Sequence, residues 1–139
     1  MKTRKTIIIK TEKQFTPLNE LISDFVKDKK GIGQVHIFVR HSTCGIKIIE
    51  NEILLLADIN NYLEEIAPRN KIYMHDKIEI RDVPIDERIN GFSHIRQLQF
   101  PTSETIPVQD GKPMLGQWQT VFLVEFDPIR DREIVFTYI

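Results

Sequence analysis

Hydrophobic and polar positions along this chain switch repeatedly between a period of two and a helical period. "TRKTIIIKT", from Thr3, is rich in β-branched residues and predicts a strand. Leu18, Leu21, Ile22, Phe25 and Val26 then recur at helical spacing. Thr16 is a good N-cap for that helix, Pro17 suits its first position, and Gly31 can close it after a run of lysines. Residues 34–41 alternate again, with Val35, Ile37, Val39 and His41 on one parity. The small polar turn "STCG" leads into a strand with Ile46, Ile48 and Glu50 on one face, which predicts a hairpin or neighbouring strand pair over residues 34–50. Asn51 can cap a second helix with Leu55, Ile59, Tyr62, Leu63 and Ile66 as its stripe, ending at Pro68. Residues 69–93 are irregular, and a long loop with few apolar anchors is often functional. A short helix follows over about residues 93–99. Asp110-Gly111 between "SETIPVQ" and "KPML" predicts a hairpin, and "WQTVFLVEF" and "REIVFTYI" predict two further strands. About six or seven strands and two or three helices, not strictly alternating, predict one α+β domain with a largely antiparallel sheet or two-sheet sandwich.

Composition changes this picture little. The 139 residues suit one domain, and 41% apolar with 28% charged residues is an ordinary globular mix. One cysteine, Cys44, excludes an internal disulfide and fits a cytoplasmic setting. A net charge of −1 weighs against a nucleic-acid partner. No apolar run approaches the ~20 residues of a membrane span. The three isoleucines between the N-terminal basic clusters are too few for a signal-peptide core.

Candidate chemistry lies with the histidines. His36 sits on the opposite strand parity from His41 and suits a structural role. His41 carries the apolar parity into a polar turn, where it either finds a backbone partner or lines a site. His75 in "YMHD" and His94 in "FSHIR" flank the irregular loop. Together the three, flanked by Asp76, Asp82, Asp86, Glu87 and Asn90, could hold a divalent metal, Zn or Mg, with carboxylate or water completing the shell, although none shows a tight ligand spacing. Cys44 beside His41 raises a nucleophile pair, but no third group orients it. Glu50 would lie ~20 Å from His41 along an extended strand, so a bend or a neighbouring subunit must intervene if they share a site. Otherwise Glu50-Asn51-Glu52 simply starts a helix. Trp118, between Gln117 and Gln119 and after Gly116, is either a core indole or the aromatic wall of a pocket.

Three blocks then form a pattern. "HSTCGIKIIENE" resembles the H-[ST]-[ST]-A-x-[IL]-x-[IL]-x-E-N block of the YjbQ-like family. "NGFSHI" is similar to its N-[GA]-[HA]-[AS]-H-[IL] block, and "SETIPVQDGKPMLGQWQTVFLVEFD" to its block around G-T-W-Q and E-x-D. Cys44, Phe92 and Gln117 depart from those patterns, and Phe92 removes one potential ligand. The resemblance implies an α+β homotrimer, some of whose members carry the label secondary thiamine-phosphate synthase. It implies site residues His41, Ser42, Thr43, Glu50, Asn51, Asp58, His75, Asn90, His94, Gly116, Trp118, Gln119 and Glu125. On that basis a small phosphorylated metabolite is the expected ligand. His41, His94 and Glu50 are the expected catalytic groups, His41, His75 and His94 the metal ligands, and Arg96 and Lys112 possible anion contacts. Metal-assisted hydrolysis of a phosphorylated metabolite and non-catalytic ligand binding are the alternatives.

Overall fold

A computed structural model describes residues 3–139; Met1 and Lys2 of the N-terminal basic cluster lie outside it. In chain order the elements are β1 (Thr3–Thr11), β2 (Phe15–Pro17), α1 (Asn19–Val26), β3 (Ile32–Val39) and β4 (Cys44–Ile49). They continue with α2 (Ile53–Ile66), α3 (Gly91–Gln97), β5 (Ser103–Gln109), β6 (Lys112–Pro113), β7 (Thr120–Glu125) and β8 (Arg130–Tyr138). Two 3-10 turns, Met74–Asp76 and Ile78–Ile80, interrupt the irregular loop.

The strands form two antiparallel sheets, ordered β1-β8-β3-β5-β6 and β2-β7-β4. Val35, Ile37 and Val39 of β3, Ile106 and Val108 of β5 and Ile134 and Phe136 of β8 face Ile46 of β4 and Val121 and Leu123 of β7. Leu18, Ile22 and Val26 bring α1 into the same core. The opposite parity of β7, Phe122 and Val124, packs with Leu63 of α2 and with Phe100 and Phe126. A strand covered on both faces must be apolar at both parities, which is why "VFLV" does not alternate. The hairpin at Asp110-Gly111 forms as expected, with both residues at positive φ.

Several expectations need correction. Eight strands form among the described residues rather than six or seven, because residues 15–17 pair with β7 as β2. Thr16 and Pro17 therefore belong to a strand, and α1 begins two residues later behind Leu18. Gly31 is no helix cap; α1 stops at Val26, and Gly31 turns the chain into β3 at φ 73 with its N–H on Asp110 Oδ1. β3 and β4 are not a hairpin: they lie in different sheets, and residues 40–43 carry the chain across the sandwich. Glu52, not Asn51, caps α2, accepting the N–H groups of Leu54 and Leu55. Leu56 rather than Tyr62 completes the packed stripe, and the Tyr62 hydroxyl donates to Gln99 at the surface.

Candidate functional site

The crossover at residues 40–43 opens into the principal cleft, about 720 Å³ in volume. Arg40, His41, Ser42 and Thr43 form one wall, and the irregular loop and α3 supply His75, Arg81, Glu87, Asn90 and His94. Thr102, Arg130 and Arg132 complete the lining. The three histidines suspected from the sequence thus meet in one cavity.

His41 is half-buried, and its Nε2 accepts the Glu133 backbone N–H at 2.8 Å. The neutral ring therefore carries its proton on Nδ1. Burial, then the charge of Arg132, hold its pKa below the ordinary histidine value. The rings of His75 and His94 meet edge-on with centroids 4.5 Å apart. Burial is also the main cause lowering the His94 pKa, with the neighbouring His75 adding to it.

Beneath the histidines the inter-sheet core ends on an ion pair. Glu125 continues the inward parity of Val121 and Leu123, and Arg132 that of Ile134 and Phe136. Arg132 Nε donates to Glu125 Oε2 at 2.7 Å, and Nη2 donates to Glu125 Oε1 and to Thr43 Oγ1, the latter at 2.7 Å. The Thr11 hydroxyl donates to Glu125 Oε2 at 2.5 Å and the Asp127 N–H to Oε1 at 2.9 Å. Every oxygen of this buried carboxylate is therefore engaged, as burial of a charge requires. Next to it Asp127 accepts from Asn90 Nδ2, Arg130 Nη2 and Arg88 Nη1 at 2.8–2.9 Å. Asn90 thus braces a cleft wall with its amide, while Ser93 Oγ secures α3 to the Phe126 carbonyl.

Other expected residues stand elsewhere. Arg96 is 2% exposed and donates to the Ala67 carbonyl and to Glu64, tying α3 to α2 rather than meeting a ligand. Glu50 is exposed beyond β4 and absent from the cleft lining, and Asn51 borders a separate depression with Asn19, Glu20 and Thr120. Trp118 is 67% exposed, neither a core indole nor part of the cleft. The Gln119 side chain accepts the Gly116 N–H at 2.8 Å, folding that turn on itself. Asp58 and Lys112 are exposed. The β4–β7 register explains this division: Cys44 pairs with Glu125 at the cleft end and Ile49 with Thr120 at the other. Those six residues, at ~3.3 Å each, separate the two ends by roughly 17 Å.

Cys44 is fully buried and its thiol is pushed up to about 12 by that burial, so it is no thiolate nucleophile. Among the described residues no three His, Cys, Asp or Glu side chains converge on a metal position. His41 commits Nε2 to the backbone, and His75 with His94 supply only two further imidazoles. The expected three-histidine centre does not fit this arrangement, and no step below is routed through a metal. No helix among the described residues is long and apolar enough to cross a membrane.

Arg81, Arg130 and Arg132 were not singled out from the sequence, and Glu87 only as one of several acids flanking the histidines. Arg132 had a usable signal, since it falls on the apolar parity of β8 and a charge there demands a buried partner. Arg81 and Glu87 lie in the irregular loop, where no periodicity marks direction.

Residues 4–139 match the family described as UPF0047 protein YjbQ-like. A UPF0047 protein of Methanothermobacter thermautotrophicus is 39% identical over 111 residues, covering 78% of this chain and 71% of its own. One from Archaeoglobus fulgidus is 28% identical, covering 93% and 95%. A crystal structure of a YbjQ-like protein of unknown function from Sulfolobus solfataricus superposes with a TM-score of 0.83 at 25% identity, covering 99% of this chain and 96% of that one. A YjbQ/UPF0047-family protein from Clostridium acetobutylicum gives 0.82 at 27% identity, covering 97% and 99%. The shared fold, the matched span and these identities make the chain a member of the YjbQ-like UPF0047 family.

Proposed function

We propose that the cleft binds a small phosphorylated metabolite and that its imidazoles serve as acid/base groups on it. The reaction is the transfer that the family resemblance implies, joining a pyrimidine diphosphate to a thiazole phosphate. One observation carries this reading: three histidines and four arginines line a single cleft in which Glu87 is the one carboxylate on the wall. Such a wall suits an anion and stabilises charge building on departing pyrophosphate. His41, with its tautomer set by the Glu133 N–H, offers a directed donor. His94, with its pKa lowered, stays neutral near pH 7 and is able to accept a proton.

A homotrimer and a cytoplasmic setting belong to the same proposal. Ile53 and Leu54 at the start of α2 and Trp118 before β7 are 80%, 70% and 67% exposed. Apolar side chains at such exposure favour burial against another copy. A neighbouring subunit would also bring Glu50, Asn51, Gly116, Trp118 and Gln119 to a cleft they do not reach within one chain. The mass in solution should be three times the 16.3 kDa chain, and Leu54→Glu with Trp118→Ala should reduce it. A wild-type mass of one chain refutes the trimer.

Purified protein is incubated with both precursors after chelation, with Mg²⁺ and with Zn²⁺. Thiamine phosphate above the His41→Ala/His94→Ala background is the expected result. Inorganic phosphate released without the second substrate would favour hydrolysis. Saturable binding with no turnover would leave the ligand-binding alternative, and no binding of either precursor refutes the whole reading.

A further inference from the structure

Charge pairing within the cleft is nearly complete. Arg40 is bonded to Glu133, Arg130 to Asp127 and Arg132 to Glu125. Two charged side chains of the lining have no such partner among the described residues, Arg81 and Glu87. Arg81 spends Nη1 on the His75 carbonyl at 2.8 Å, which anchors the side chain and leaves its other donors open. Glu87 makes no side-chain hydrogen bond among the described residues and is half-buried. Both come from the same irregular loop and line the same cavity, yet their charged atoms are not within salt-bridge distance of each other. Opposite charges lining one cavity without closing on each other leave room for a ligand that bridges them. Arg130 adds a second open donor: its side chain is 38% exposed at the cleft, Asp127 holds Nη2, and Nη1 has no partner among the described residues.

We propose that the ligand of this cleft is zwitterionic: its phosphate is met by Arg81 and Arg130, and a cationic or N–H-bearing nitrogen is met by Glu87. The assignment rests on the phosphate reading above and narrows it. A bare phosphate satisfies the guanidinium groups and leaves Glu87 as a repelling charge. A phosphate ester with an amino group a few bonds away satisfies both. Glu87 is then a specificity-determining residue, and Arg81 the residue that fixes the anionic end.

The test compares 2-aminoethyl phosphate with ethyl phosphate, which differ only in the ammonium group. Their affinities for the full-length protein are measured by calorimetry, with wild type, Glu87→Gln and Arg81→Gln. Wild type should prefer the aminoethyl ester by about fivefold, the scale of one partly exposed ion pair. Glu87→Gln should erase that preference while retaining ethyl phosphate binding or strengthening it. Arg81→Gln should weaken both esters. Thermal unfolding of each variant checks that it is folded. Equal affinity of wild type for the two esters, or an undiminished preference in Glu87→Gln, overturns the zwitterion assignment and leaves phosphate binding standing. Failure of wild type to bind either ester overturns both.

Discussion

Replacing Arg132 with methionine strips the buried Glu125 of its cationic partner while keeping an unbranched apolar side chain in place of the arginine stem. Both groups are almost wholly enclosed, with side chains 2% and 0% exposed, so solvent screens neither. Arg132 supplies Glu125 with donors from Nε and Nη2 and also holds Thr43. The carboxylate that remains keeps only the Thr11 hydroxyl and the Asp127 N–H. Removing one member of a buried pair costs about 3–5 kcal/mol. That is a large part of the roughly 5–15 kcal/mol a domain has in total. Arg132→Met combined with Glu125→Leu removes both charges and should be less damaging than Arg132→Met alone. The residual cost is about 1–3 kcal/mol from the unpartnered Asp127 N–H and Thr43 hydroxyl, since the Thr11 hydroxyl still reaches the Arg130 carbonyl. The pH dependence has a definite sign. Burial by itself raises the Glu125 pKa, but hydrogen bonds from Arg132, Thr11 and the Asp127 N–H outweigh it, leaving the carboxyl below its ordinary value. Its stabilising contribution is therefore complete above the unfolded value of about 4.3 and fades as pH falls through the folded one. Arg132→Met removes the chief lowering partner, so this acid loss should shrink or reverse. Urea unfolding followed by circular dichroism, at about pH 7 and about pH 3.5, measures Arg132→Met, Glu125→Leu and the double variant against wild type. Single costs that simply add in the double variant, within about 0.5 kcal/mol, would refute the account of the pair.

Arg96→Met should cost about 1–3 kcal/mol in the same assay, because the buried Ala67 carbonyl loses its donor. It should leave phosphate-ester affinity unchanged, whereas an anion contact would lose affinity. Glu52→Ala should cost about 1 kcal/mol by uncapping α2 at Leu54 and Leu55, and Asn51→Ala should cost little; the reverse order would restore Asn51 as the cap.

Much of the fold is legible in residue periodicity, and the failures have identifiable causes. β1, β5, β7 and β8 follow from β-branched runs, and Asp110-Gly111 marks its hairpin because both positions take positive φ. β2 was misread because Thr-Pro is an equally good helix start, and only pairing with β7 makes residues 15–17 a strand. The β3–β4 hairpin was misread because a short polar turn looks the same whether the chain returns to its own sheet or crosses to another. Of the candidate site, His41, Ser42, Thr43, His75, Asn90 and His94 do gather in one cleft. Arg96 was misplaced because a charge on a short helix does not declare whether it faces a ligand or a neighbouring helix.

By itself the sequence determined local geometry: which stretches extend, which coil, and that His41 stands where a strand meets a turn. Such features depend on residues within a few positions of each other. Tertiary structure alone decided which distant residues share a cavity. The crossover between sheets sets His41 opposite His94, and the β4–β7 register sends Glu50 and Trp118 to the far end. It also decided which charges are spent: Arg132 on Glu125 and Arg130 on Asp127, while Arg81 and Glu87 line the cleft with no ion-pair partner among the described residues. Pairing of charges is a matter of a few ångströms between residues far apart in the chain, and no local pattern encodes that distance.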